Sequence, residues 1–256
     1  MDKIRIQKVL GAAGVASRRT IEEMIVEGRI AVNGELVTAL PCFVSPSDEI
    51  LVDGRLVRKR PQKFVYILLN KPRGVVCTMD DHPGYNRPRA TDLIPRLAER
   101  VYCVGRLDED STGLLILTND GELTHRLTHP RYGIIKTYVA RVAGRLDAGE
   151  MEEFRRGMFL DLRRKGQAGI KVLRQAPAES LLEVRVSEGR NRQVRRMLAR
   201  LGHNVRRLHR CSIGPVTDRG LKIGHWRNLA NEEVAALRKL AGLAGRTAQG
   251  QNPKDE

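Results

Sequence analysis

The residues best suited to chemistry lie at positions 105–123, GRLDEDSTGLLILTNDGEL, where Asp108, Glu109 and Asp110 stand directly before a glycine and an apolar run. Residues 114–117 read as a short buried strand bounded by Gly113 and by the turn signal Asn119-Asp120-Gly121. A buried strand cannot easily carry charge. The carboxylates therefore belong to the loop that feeds it, where one of them can face a cleft while the strand holds it rigidly. One reading is a plain acidic turn with Asp110 or Ser111 bonded to its own backbone. The other is a carboxylate held for covalent or acid-base work.

Two further stretches bear on that choice. KTYVARVAG, residues 136–144, alternates in character and predicts a strand carrying Tyr138, either as a half-buried packing ring or as a platform for an extruded base. EGRNRQVRRMLARLGHNVRRLHR, residues 188–210, is the most basic segment. Its Val194, Met197, Leu198 and Leu201 define an apolar helix face that Gly202 ends, with Asn191 expected as the cap. That leaves Arg192, Arg195, Arg196 and Arg200 on or beside the polar face, and a strand follows at 205–210. His203 and His209 have no partners at metal spacing and are expected to be polar surface groups.

The elements that must position these groups start at the N-terminus. Ile6, Val9, Leu10 and Ala13 recur at helical spacing until Gly14; Ser17 or Thr20 caps a second helix with Ile21, Met24 and Ile25 inward, and Gly28 ends it. Asn33-Gly34 between two apolar stretches signals a hairpin. Arg18 and Arg19 open the second helix, where free backbone N–H groups already favour a phosphate. Residues 57–63, VRKRPQK, lack apolar periodicity and predict a linker. Beyond it, residues 64–69 and 75–78 read as two strands joined by Asn70-Lys71-Pro72-Arg73-Gly74. Residues 80–89 form a turn-rich loop in which His82 is a solvated side chain. Residues 225–240 supply a last helix capped by Asn231, with Val234, Leu237 and Leu240 inward and Trp226 anchoring it in the core. A polar tail follows at 245–256.

The chain has 256 residues, with 46 Lys and Arg against 30 Asp and Glu, a net charge of +16 that calls for a polyanionic partner, nucleic acid first. Four separated cysteines make no C-x-x-C pair, so neither a zinc site nor a disulfide framework is indicated. No signal-peptide run and no uncharged membrane-length stretch occurs, and a cytoplasmic protein is expected. There is no dinucleotide or Walker loop, and no serine or cysteine beside a plausible base.

These residues resemble two families. SRRTIEEMIVEGRIAVNGELV followed by VSPSDEILVDG resembles the small RNA-binding domain named after ribosomal protein S-four, across about the first quarter of the chain. NKPRGVV, GRLDEDSTGLLILTNDGEL, LTHP, KTYVARV, EGRNRQVRRML and GHWRNL together resemble, over nearly the whole chain, the pseudouridine synthase superfamily in its RsuA and RluB/E/F branch. That resemblance implies an isomerase that detaches uracil N1 from ribose C1′, turns the base and rejoins it through C5, with no cofactor and no metal. It implies Asp108 as the essential aspartate, Tyr138 stacked on the uracil, Arg195 paired with the aspartate, and Arg106 rearranging the RNA. The expected fold is α+β: residues 3–56 as an RNA-binding domain, then 64–244 as a mixed, largely antiparallel catalytic sheet with a central cleft. Candidate RNA contacts are Arg18, Arg19, Lys71, Arg106, Arg190, Arg192 and Arg196. The partner implied is ribosomal RNA or a ribosomal subunit precursor, the large-subunit species ahead of the small, acted on by a monomer. A non-catalytic ribosome-assembly factor on the same scaffold is the alternative.

Overall fold

Apolar side chains at helical spacing close two short helices onto a small sheet in the N-terminal unit, Met1–Lys63. The structure, a computed structural model, describes residues 3–57, 63–78, 87–95, 97, 99–161, 164–166 and 168–243. β1 (Ile4–Arg5) runs into α1 (Ile6–Ala12), and α2 (Arg18–Val26) follows, capped by Ser17, whose Oγ accepts the Thr20 backbone N–H at 3.1 Å. Ile6 and Leu10 of α1 and Ile21, Met24 and Ile25 of α2 share one core with Ile30, Val44 and Ile50. The last three lie on β2 (Ile30–Val32), β4 (Phe43–Val44) and β5 (Ile50–Val52). With β3 (Glu35–Leu36) and β6 (Arg55–Leu56), the strands form an antiparallel sheet in the order β3-β2-β5-β6, while β4 pairs with β1. Asn33 and Gly34 both have positive φ, 52° and 85°, as the tightest hairpin turn requires.

The second unit, Phe64–Glu256, is built on a larger mixed sheet. Its elements in chain order are β7 (Tyr66–Lys71), β8 (Tyr102–Cys103), β9 (Thr112–Thr118), α3 (Gly121–Thr128), β10 (Lys136–Ala143), α4 (Ala148–Arg156), β11 (Met158–Asp161), β12 (Arg164–Gly166), β13 (Gly169–Gln175), β14 (Glu179–Val186), α5 (Gln193–Arg200), β15 (Val205–Ile213), β16 (Val216–Thr217), β17 (Trp226–Asn228) and α6 (Asn231–Leu240). The sheet order is β13-β14-β10-β15-β9-β7-β17, with β16 beside β15 and β8 beside β9. Among the described residues every pairing within it is antiparallel except β15 with β9. The molecule is thus α+β, with two helix-and-sheet units.

β9 explains the centre. Gly113 to Thr118 are all buried because the strand lies between β15 and β7 with both faces covered, so it reads as a continuous apolar run. Gly113, at φ 112°, passes so close to the Arg210 backbone that any Cβ there would collide with it. On β10 the alternation puts Lys136, Tyr138, Ala140 and Val142 on one buried face.

Several elements depart from the sequence expectation. Residues 75–78 form no strand; Val76 makes only an isolated bridge to Arg89. Asn119-Asp120-Gly121 is a helix start, in which Asp120 Oδ1 accepts from Leu123 N at 3.0 Å and opens α3. Arg192, not Asn191, is the N-cap of α5, at a left-handed φ of 48°. Ala230, not Asn231, is the N-cap of α6, and its N–H donates to Glu233 Oε2 at 2.9 Å. Leu240 and Trp226 are exposed, 49% and 38%, so neither anchors the core. His203 is buried instead of solvated, bridging Ala143 O and Glu150. His209 is partly buried between Thr112 Oγ1 and Asp218. All four cysteines are free and partly buried. His82, most of the 80–89 loop, most of the 57–63 linker and the 245–256 tail lie outside the described residues.

Candidate active site

The loop between β8 and β9 is pinned from beneath before it presents any charge. Leu107 is buried in the core, its backbone N–H donates to Cys77 Sγ at 3.4 Å, and the Gly74 N–H donates to Glu109 O at 2.9 Å. Ser111 N returns to Asp108 O at 3.1 Å, closing a turn. Held this way, the Asp108 carboxylate faces a cavity of about 250 Å³ together with Tyr138.

The pairing of the acidic loop differs from the expected Arg195–Asp108 pair. Arg195 is 9% exposed and points inward from α5. It donates to Val205 O at 3.0 Å and to Ser111 Oγ at 3.3 Å, and it pairs with Asp110 Oδ2 at 3.1 Å. Asp108 is instead met by Arg192 Nη1 at 3.6 Å, and the same guanidinium reaches Asp110 at 3.3 Å. Burial raises the Asp110 pKa, but Arg192 and Arg195 outweigh it and hold the carboxyl below its ordinary value. Asp110 is therefore the closely paired carboxylate, and Asp108 the loosely held one.

The expected RNA contacts divide by exposure. Arg106 and Arg192 are exposed and line the cavity, and Arg196 is exposed on α5. Arg190 also lines the cavity, with its Nε on Glu188 Oε2 at 3.0 Å. Arg18 and Arg19 are exposed in the first turn of α2, in the other unit. Lys71 is not a surface contact: it is fully buried, its Nζ donating to Pro72 O and Val75 O, both at 2.8 Å.

Sequence reasoning missed two groups in the cavity. Lys136 and Arg210 both line it and are 8% and 4% exposed. Lys136 had a visible signal, since it lies two residues before Tyr138 and so on the same strand face. Arg210 had none; it is brought beside Tyr138 by the register of β10 with β15, and its Nη1 lies 3.5 Å from the Tyr138 hydroxyl. Burial, and then the Arg210 charge, push the Lys136 ammonium down to about 8. Among the described residues no group of three His, Cys, Asp or Glu is placed to hold a metal ion. Nor is any helix among them long and apolar enough to cross a membrane.

A carboxylate on a rigid loop, an aromatic ring, exposed arginines and two buried cations thus line one cavity of a mixed, largely antiparallel sheet. The RNA pseudouridylate synthase family matches residues 65–200 and the S4 domain matches residues 4–50; the chain belongs to the RNA pseudouridylate synthase family. Among its relatives is the ribosomal large subunit pseudouridine synthase B of Bacillus subtilis (strain 168), 44% identical over 239 residues, covering 93% of this chain and 96% of that one. An uncharacterized RNA pseudouridine synthase of Aquifex aeolicus (strain VF5) is 43% identical over 244 residues, covering 95% and 97%. A crystal structure of a pseudouridylate synthase matches with a TM-score of 0.66 and 32% identity, over 91% of this chain and 99% of that one.

Proposed function

We propose that this pseudouridine synthase isomerises a uridine of ribosomal RNA, that of the large subunit, with Asp108 as its catalytic carboxylate. The observation that carries the reading is the contrast between the two carboxylates on the cavity wall. Glu188 is engaged by Arg190 at 3.0 Å and by Gln193 at 2.9 Å, whereas the ion pair that Asp108 makes among the described residues is the 3.6 Å approach of Arg192. A reacting group must be placed but not consumed by its neighbours. Tyr138, on the same cavity, stacks on the extruded base, and the rim arginines hold the flanking phosphates, offsetting a few kcal/mol of unstacking. The names of the relatives with large-subunit activity support the choice of RNA.

In the reaction the C1′–N1 bond breaks, the base turns, C5 bonds to C1′, the C5 proton leaves to solvent and N1 takes up a proton. Purified protein should accordingly release tritium from a large-subunit RNA transcript labelled at uracil C5. Asp108→Asn should abolish release and leave transcript binding intact. Release that survives in that variant would remove Asp108 from the chemistry, and a wild-type protein that binds the transcript without releasing tritium favours an assembly factor.

A further inference from the structure

We propose that Lys136 and Arg210 form a donor-only floor to the cavity, which receives a carbonyl oxygen of the uracil ring and carries the negative charge of the base once it is detached. The inference rests on the reading of the cavity as a uridine pocket and extends it to the two buried cations among its lining residues.

Burial sets the problem. Arg210 spends Nε on Leu114 O at 2.6 Å and Nη1 on the Tyr138 hydroxyl at 3.5 Å, while Nη2 is buried with no hydrogen-bond partner among the described residues. Lys136 is beside it, and among the described residues no carboxylate forms an ion pair with either one. Two adjacent buried cations with an idle donor are costly in an apolar wall, because desolvation is not repaid by a counter-charge. Their cost is recovered when an acceptor arrives.

Position identifies the acceptor. Arg106 and Arg192 are exposed where the same cavity opens, and there a phosphate remains half-hydrated. Lys136 and Arg210 are closed off, at 8% and 4% exposure, and the part of a flipped nucleotide that enters so far is the base. Uracil carries O4 and O2 on either side of N3, and a half-turn about the N3–C6 axis exchanges C5 with N1 and O4 with O2. Donors that hold one carbonyl before the turn therefore meet the other after it. A cytosine would instead bring its amino group against donors and leave them unpaired. When the C1′–N1 bond breaks with its electron pair left on N1, the resulting charge spreads over N1, O2 and O4, next to two fixed cations. They act where charge develops, so their effect falls on the rate of the step and not on RNA affinity.

The test uses the full chain and the same tritium-labelled large-subunit transcript, with kcat, KM and transcript Kd measured for Lys136→Met, Lys136→Arg and Arg210→Lys. Lys136→Met should lower kcat by about tenfold or more with Kd changed less than about twofold, and Lys136→Arg should recover most of the loss. Arg210→Lys, which keeps the charge and loses the fork, serves as the independent variant should Lys136→Met fold poorly, and should also lower kcat with Kd unchanged. An unchanged kcat overturns the proposal. A weaker Kd with a shallower salt slope overturns it too, by making these groups phosphate contacts, and so does a loss that Lys136→Arg fails to recover. Wild-type tritium release is the separate control on the uridine reading.

Discussion

On the wall at the mouth of the cavity Asp108 and Arg192 join an ion-pair cluster with Asp110 and Arg195; on the floor Lys136 and Arg210 lie together without a carboxylate in an ion pair among the described residues. Both places gather charge in a sheltered site, yet by opposite rules. At the wall opposite charges compensate, and the arginines fix the loop as much as they tune it. At the floor the charges are alike, and the fold bears a cost that only an acceptor relieves. The comparison separates groups that shape the site from groups that await the substrate, and each step of it can be broken.

The largest expected effect divides the wall itself. Asp108→Asn should cost at least about a thousandfold in tritium release, about 4 kcal/mol of transition-state stabilisation, with an unchanged melting curve. If Asp110→Asn abolishes release equally while the fold is intact, the distinction between the loosely held and the closely paired carboxylate fails.

The floor makes the next prediction. A lysine held near pH 8, below its ordinary value of 10.5, is disfavoured as a cation by the fold. Below pH 8 the folded protein bears the full cost; between about 8 and 10.5 the unfolded chain binds more protons than the folded one, so stability rises with pH. Relative to Lys136→Met, the wild type should gain about 1–3 kcal/mol across that window, read from urea midpoints at the two ends. Parallel midpoints would mean that the lysine is already compensated and that the floor is no different from the wall.

Asp110→Asn should act in the other direction and more weakly. It leaves Arg195 buried without its anion, but Asp110 is one-third exposed, which reduces the penalty to about 2 kcal/mol. Because the folded carboxyl lies below its usual range, its contribution is present above about pH 4 and is lost as pH falls through the folded value. The stability difference between wild type and Asp110→Asn, followed by denaturant unfolding, should therefore shrink as the solution is acidified below that point. A constant difference would assign the effect to packing.

Legibility in the sequence followed periodicity. β10, the two N-terminal helices and the apolar face of α5 repeat at 2 or 3.6 residues, β9 is a continuous apolar run of strand length, and Asp108 stood out because it adjoins a run too apolar to hold it. What failed was pairing across the chain. Arg195 chooses Asp110 over Asp108 by a separation of 85 residues, and nothing in the spacing distinguishes two carboxylates two positions apart. α3 was hidden because a helix cap and a turn use the same Asn-Asp-Gly chemistry, and Asp120 is fixed as a cap from afar, by the Tyr66 hydroxyl at 2.9 Å and Arg238 at 2.7 Å. Arg210 looked like one more surface cation because burial of an arginine on a strand depends on what β9 and β10 put over it.

Exposed cations give the last and smallest contrast. Arg18 and Arg19 form no ion pair among the described residues, as is true of Lys136 and Arg210, but they are hydrated, so the lack of a partner costs them little and by itself implies no ligand. Their claim on RNA comes from placement in the first turn of α2, where backbone N–H groups point outward behind Ser17. The double change Arg18→Ala with Arg19→Ala should therefore weaken transcript binding by about tenfold and reduce the slope of log K against log salt by about two, one for each phosphate no longer neutralised. kcat at saturating RNA should not move, because the Lys136 and Arg210 floor acts on the detached base while these two only bring the RNA to the protein. A fall in kcat with an unchanged salt slope would reverse the assignment, making the N-terminal unit part of the chemistry and burial a poor guide to which unpaired cations the reaction uses.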